Sequence, residues 1–448
     1  MMKNKIITGF LIVIMIILPI LPIEDCIAFR GHQLSLAYTV IIYVVIIITL
    51  ILLLCTKSIN FKSKRKPNAI EWIMLGYVSL ATIATFVSPY GRYAFTGEGC
   101  RYEGLFMIIC YIIIFYLAWR HWNFSSKLLK GAIAASCVVA IYSIVENALA
   151  GFTTISDSTM GNGNFLSSYV TMFLPIAMVF YLKSGKKIYL LASALLFASL
   201  LCAMTTGGYI TFAVYAIIIA IYAIATKVNI KRIAATIIAI ILVFSVYNGL
   251  SNSTYTREVT KIKKEVNYVQ NDFNKFGTMR GYIYIVSLDI LFKNPIWGVG
   301  PDCLTFEMVR HYYHTDEYKQ QMKDILIDKA HCEMLQIAVN TGIPSLLCYI
   351  ALVGTIGIKI LIRFFKDKNN ALIFAIGLSI LAYLIQAMGN ISVIFVAPTF
   401  WAMLGIGLKL AEMDKDELEK HNKEIIDGKS DRRKKFSFRI TKKSEGHK

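Results

Sequence analysis

Long apolar runs with no charge inside them constrain this chain more than any other feature; residues 35–55 and 371–388, for example, contain no Asp, Glu, Lys or Arg. About 20 consecutive apolar residues cross a bilayer as a helix, and in hydrocarbon every backbone N–H and C=O must find its partner within the spanning structure. The runs are continuous and lack the roughly ten-residue alternation of a membrane barrel, so helix is the form they dictate. Composition agrees: 56% of the 448 residues are hydrophobic and 17% are charged, against roughly a quarter charged in soluble chains. A soluble globular enzyme is excluded.

Apolar runs fall near 6–24, 35–55, 69–89, 104–119, 127–150, 164–182, 187–204, 207–226, 231–250, 340–364, 371–388 and 391–410. They predict an all-α polytopic membrane protein of about 12 transmembrane helices. With the N-terminus in the cytoplasm, the short inner segments hold 19 Lys and Arg, among them Lys57, Arg120, Lys183, Lys227 and Arg363, while the short outer loops hold only Arg30, Arg92 and Arg101. The positive-inside rule then orients the chain in the cell membrane as a multi-pass protein with both termini cytoplasmic. Residues 1–24 begin with Lys3 and Lys5 but lack a small-residue cleavage site and precede many further spans, so they are expected to be retained.

The formal charge of +19 does not imply nucleic acid. That reading needs basic residues gathered on one soluble face with interleaved aromatics, and here they punctuate the spans. Five of the nine cysteines lie inside apolar runs and none forms a CxxC pair or a zinc-ligand spacing; most read as small apolar fillers, and no metal is expected.

The spans divide the chain into a membrane domain of nine spans (1–250), one long extracytoplasmic loop between spans 9 and 10 (251–332), a second membrane domain of three spans (333–410) and a cytoplasmic tail (411–448). The tail carries Arg432-Arg433-Lys434-Lys435 among many acids and is expected to be a largely disordered end near anionic lipid. The loop holds 11 Lys/Arg and 10 Asp/Glu, a mixed-charge surface rather than a funnel of one sign. Tyr282, Ile285, Val286, Asp289, Ile290 and Lys293 recur three and four apart behind Arg280, which predicts an amphipathic helix. Asn294-Pro295 ends it, and Gly298-Val299-Gly300-Pro301-Asp302 is a turn. The Gly-x-Gly is no phosphate cradle, because a helix precedes it and Pro301 follows, where a dinucleotide fingerprint needs a strand before and a helix after.

Arg280 with its helix, then Asn294-Pro295-Ile296-Trp297-Gly298-Val299-Gly300-Pro301, then Ala330-His331, Leu335-Gln336 and Thr341-Gly342 resemble the signature of the O-antigen ligase and polysaccharide polymerase superfamily. Arg101-Tyr102-Glu103-Gly104 and Gly161-Asn162-Gly163-Asn164-Phe165-Leu166 resemble its Arg-x-x-Gly and Gly-Asn-Pro-Asn-Phe stretches, so the resemblance runs over roughly residues 70–410. Two positions depart from the pattern. Cys332 follows the histidine where the family often has Asn, and Gly163 replaces the central Pro.

The resemblance implies a membrane glycosyltransferase that moves a glycan from an undecaprenyl diphosphate carrier to a hydroxyl acceptor, a glycan or a lipid, on the outer face of the membrane, with no cofactor. The chemistry fits the residue types. A departing lipid diphosphate calls for fixed positive charge, and Arg offers a permanent bidentate fork; Arg280 is the expected catalytic anchor, with Arg101 and Arg92 as substrate-binding residues. His331 is the expected general base. Asp328, three residues earlier, orients its imidazole if the helix starts early enough, and Asn164 is a further substrate-binding candidate. His311 and His314 lack a third metal ligand at a recognisable spacing. Glu146 and Asn147, near the end of the fifth span, face either a cavity or a helix-packing contact.

Twelve spans with both termini inside also fit a transporter or flippase of the lipid-linked glycan, but the common two-times-six arrangement puts its longest loop between spans 6 and 7. Here the longest follows span 9. Polymerase and ligase share the same Arg and His chemistry, and the Ile-, Lys- and Asn-rich composition tilts the reading slightly toward polymerisation.

Overall fold

A computed structural model of the chain describes residues 2–21, 32–58, 66–98, 101–251, 254–323 and 325–427. The described residues form helices joined by turns and loops, without a strand. In chain order the helices are α1 (Met2–Ile20), α2 (His32–Cys55), α3 (Ala69–Val87), α4 (Arg92–Thr96), α5 (Leu105–His121), α6 (Ser126–Leu149), α7 (Gly163–Ser184), α8 (Lys187–Cys202), α9 (Thr206–Ala225) and α10 (Ile230–Leu250). They continue with α11 (Thr254–Asn271), α12 (Phe276–Lys293), α13 (Leu304–His311), α14 (Asp316–Met322), α15 (Glu333–Thr341), α16 (Ile343–Lys366), α17 (Ala371–Ala387), α18 (Ala397–Glu412) and α19 (Lys415–Ile426).

Each of the twelve expected spans overlaps a helix, the tenth, 340–364, being corrected at its start because 340–341 close α15 and α16 begins at Ile343. Eight are long and apolar enough to cross a membrane: α1, α2, α3, α6, α7, α9, α10 and α16. Helices α5, α8 and α17 are apolar but shorter. The last expected span, 391–410, is corrected at its start, because 391–396 is not helical and α18 begins at Ala397. Those six residues are apolar or small, so hydropathy alone cannot separate them from the helix.

Helix α7 is the axis of the bundle, and its whole membrane-length window is buried. It packs against α6, α8, α9, α10, α17 and α19. Its polar residues make that burial tolerable: the Thr171 hydroxyl donates back to the Ser167 carbonyl at 2.8 Å, and Ser167 Oγ accepts from Gln386 of α17 at 2.8 Å. Outer helices show the opposite pattern, with Ile237, Ile238, Ile241 and Leu242 of α10 exposed, as a lipid-facing surface requires.

The two ends of the bundle are distinct. At one end Asn4 accepts from the Asn123 backbone and Glu424 accepts from Ser126, so the start of the chain and α19 lie together. Within the stretch expected as a largely disordered tail, Lys415–Ile426 is a helix with Leu418 and Ile425 buried. The basic run 432–435 lies outside the described residues. At the other end, α12 to α15 form a second small core around Tyr282, Val286, Ile290, Leu304, Met308, Tyr318 and Val339. Ile285, expected on the buried stripe of α12, is 47% exposed, because the packed face runs through 282, 283, 286, 287, 290 and 291.

Candidate functional site

The segments singled out in the sequence converge where the small core meets the bundle. Val299 N–H donates to the Val339 carbonyl and Gly300 N–H to the Asn340 carbonyl, both at 2.9 Å, which docks the turn after α12 onto the end of α15. Two glycines permit this. Gly298 has φ 64°, and a Cβ there would sit 2.5 Å from the Val339 carbonyl oxygen; Gly342 has φ 85°, and a Cβ would sit 1.9 Å from the Ile296 carbonyl oxygen. The two glycine motifs are therefore opposite sides of one backbone contact, and the turn reading of 298–302 holds.

Beneath that contact lies a buried charge cluster. Lys329, 2% exposed, donates to Glu103 Oε2 at 2.9 Å and to Asp302 Oδ1 at 2.8 Å. Asp302 Oδ2 accepts the backbone N–H groups of Glu98 and Glu103, while Glu103 Oε1 accepts from Tyr111 and Ser392, both at 2.8 Å. One ammonium serves two carboxylates. Burial raises both acids, but Lys329 and the extra donors hold Glu103 below its ordinary value, whereas Asp302 stays raised.

Above the cluster, Arg101 Nε meets Asp328 Oδ2 at 2.6 Å, with the guanidinium 5.7 Å from the Phe165 ring centroid. Burial alone would lift the Asp328 carboxyl, and Arg101 pulls it below its ordinary range. His331 follows in a left-handed backbone conformation, φ 51°, its carbonyl accepting from Tyr284 at 3.2 Å. Burial first, then Arg280, lowers its imidazole against the opposing pull of Asp328, to a pKa of about 4.

Arg280 opens the regular part of α12 directly after Gly277, Thr278 and Met279, all at positive φ. Such a conformation is rare for a β-branched residue and aims the arginine back over the bundle, where Nη1 donates to the Gly389 carbonyl. Among the described residues it has no carboxylate in salt-bridge range. Arg101 is paired at close range; Arg280 feels Glu265 only from farther away.

Two expected roles change. The helix after His331 begins only at Glu333, so Asp328 and His331 share no helical turn, and the Asp328 carboxylate pairs with Arg101. Glu146 and Asn147 are engaged by the loop that follows their helix: Glu146 accepts from Ser156 and from the Ser158 backbone, and Asn147 donates to the Thr154 carbonyl at 2.5 Å, which favours the packing alternative. Arg92 is exposed on α4 beside Tyr93, apart from the cluster. Asn164 contributes its backbone carbonyl, which accepts from Asn390 at 3.0 Å. His311 pairs with Glu307 at 3.1 Å, and no cluster of metal-ligating side chains occurs among the described residues.

Sequence reasoning missed Glu103, Asp302, Lys329 and Glu333, although each stands inside or beside a quoted motif. Glu333 is buried with both oxygens occupied, by Tyr349 at 2.6 Å and Tyr383 at 2.9 Å, and burial pushes its carboxyl up to about 7. With Lys329, Gln336 and Asn340 it lines a cavity of about 60 Å³, roomy enough for water.

Residues 191–350 match a protein-family model, Wzy_C, described as O-antigen ligase. The matched stretch holds Arg280, Asp302, Asp328, Lys329 and His331; Arg101 and Phe165 precede it. It bears out the resemblance to the O-antigen ligase and polymerase superfamily. No curated protein matches the chain.

Proposed function

We propose, on the premise of that O-antigen ligase stretch, that the protein is a membrane glycosyltransferase transferring a glycan from a lipid diphosphate carrier to a hydroxyl acceptor at the end of the bundle that holds Arg280 and His331. The observation that carries this reading is the unequal state of two arginines. Arg101 is paired with Asp328, whereas Arg280 is partly buried, donates to a backbone carbonyl and, among the described residues, has no carboxylate within salt-bridge range, Glu265 acting on it only from farther away. A buried cation without an anion is costly, and a diphosphate leaving group offers the missing charge with oxygens spaced for a guanidinium fork.

The steps follow from the residues. Arg280 binds the diphosphate and stabilises the charge that grows on it as the anomeric C–O bond breaks. His331, neutral at physiological pH, accepts the proton of the acceptor hydroxyl as its oxygen attacks the anomeric carbon. Arg101 and Asp328 hold the segment that carries the histidine, and Phe165 packs under Arg101. Twelve crossings with both termini cytoplasmic would place this chemistry on the outer face, where undecaprenyl-linked glycans are presented.

The test is Arg280→Lys with purified protein and a lipid diphosphate-linked oligosaccharide. A point charge cannot reproduce the bidentate fork, so most glycosidic product should be lost, while Arg310→Lys, on an exposed stretch of α13, should stay near wild type. Equal losses would show that only the general charge of the region matters, and movement of the lipid without product would show a carrier. A deletion strain separates the acceptors: single repeat units left on lipid mean a polymerase, full-length chains left on lipid a ligase.

A further inference from the structure

A second cationic site lies at the opposite end of the bundle from Arg280 and His331. Lys359, Arg363 and Lys366, on the last two turns of α16, line a cavity of about 140 Å³ together with Ile362 and with Ala411 and Glu412 of α18. Three cations face one carboxylate, and that carboxylate is already engaged. Glu412 accepts from Lys359 Nζ at 2.6 Å and from the Trp119 indole at 2.8 Å, with Arg120 Nη1 3.9 Å away. Arg363 is left over: its Nε and Nη2 are enclosed and find no hydrogen-bond partner among the described residues. Enclosed donors of a charged group are rarely left unmet in folded proteins, so the pocket demands an anion with several acceptor oxygens.

The surroundings say which kind. Ile358, Leu361, Ile362 and Phe365 on the same two turns are 50–63% exposed, an apolar collar that would face acyl chains just where the helix ends. We propose that this pocket binds the phosphate of an anionic phospholipid, with the Arg363 guanidinium turning its unmet donors onto the phosphate oxygens, Lys366 as a second charge at the rim and the acyl chains lying along Ile362 and Phe365. A basic pocket between membrane helices is the usual form of a lipid-headgroup site. A free phosphate would satisfy the same donors but would leave the collar without purpose. The proposal stands apart from the glycosyl transfer reading, since none of its residues touches that site.

The experiment uses the full chain in neutral detergent and titrates short-chain phosphatidylglycerol, phosphatidylcholine and inorganic phosphate, read by native mass spectrometry. Phosphatidylglycerol should bind, with phosphatidylcholine and inorganic phosphate much weaker. Each cation near a membrane surface contributes about fivefold, the equivalent of about 1 kcal/mol, so Arg363→Gln with Lys366→Gln should weaken phosphatidylglycerol about 25-fold. Lys227→Gln, exposed at the same end, should change nothing. Arg363→Lys, which keeps the charge and the helix but loses the fork, should fall between. Equal binding of the two lipids, equal binding of inorganic phosphate, or an equal loss from Lys227→Gln would each overturn the site.

Discussion

His331 holds its backbone at φ 51°, a region that His visits more readily than a branched residue does, and its imidazole lies under the influence of Arg280, Arg101 and Lys329 with only Asp328 opposing them. Burial, the largest cause, acts in the same direction as those cations, so the ring is neutral well below neutral pH. The sign is then fixed. A base works when unprotonated, so turnover should stay level from pH 8 down to about 6 and fall only toward pH 4, lower than the 6 to 7 of a free imidazole. His331→Ala and His331→Gln should each lose about 10² to 10⁴ in rate and lose that acid limb. Near-normal turnover in His331→Gln would make the residue structural. Stability should follow the same group: the unfolded chain takes up its proton near 6.5 and the folded one near 4, so stability is lost as pH falls through that window.

Between elements, Lys329 ties together the loop before α5, the turn after α12 and the approach to α15. Removing it strands two buried carboxylates, and breaking a buried ion cluster in this way costs about 3–5 kcal/mol; Lys329→Met should therefore lower the unfolding midpoint sharply. Asp328→Asn breaks a pair whose side chains are about a quarter exposed, worth about 1 kcal/mol or less once solvent screening is counted, so it should barely move the midpoint. Similar midpoints for the two variants would deny the cluster its holding role. The sequence shows the members of this cluster but not their pairing. Glu103 and Lys329 are 226 positions apart, and no periodicity reports a contact of that range. The early helix start on which the Asp328 role was conditional is absent for a local reason, since Gln336 reaches back to accept from the Ala330 backbone at 2.5 Å and holds 330–332 as a loop.

Across the whole molecule, the helices were legible because each apolar run is unbroken, whereas the depth of each helix was not: the membrane-length window of α7 is wholly buried and that of α10 is 11% buried, yet both read as apolar spans. What separates them is the Ser, Thr and small residues of α7 meeting Gln386 and Asn390, a pairing that hydropathy cannot score. The architecture does sharpen the topological expectation. Asn4 and Glu424 lie at one end, and so do Arg120, Lys130, Lys186 and Arg363, while Arg101, Arg280 and His331 lie at the other. By the positive-inside rule the first end is the one expected in the cytoplasm. Cysteine labelling in a background cleared of native cysteines tests this at two exposed positions, Asn267 on α11 and Lys420 on α19. Asn267→Cys should react with a membrane-impermeant maleimide in intact cells, and Lys420→Cys only after the cells are opened. The reverse pattern would put Arg280 and His331 in the cytoplasm, where a glycan presented on the outer leaflet could not reach them, and the proposed reaction would fall with the topology.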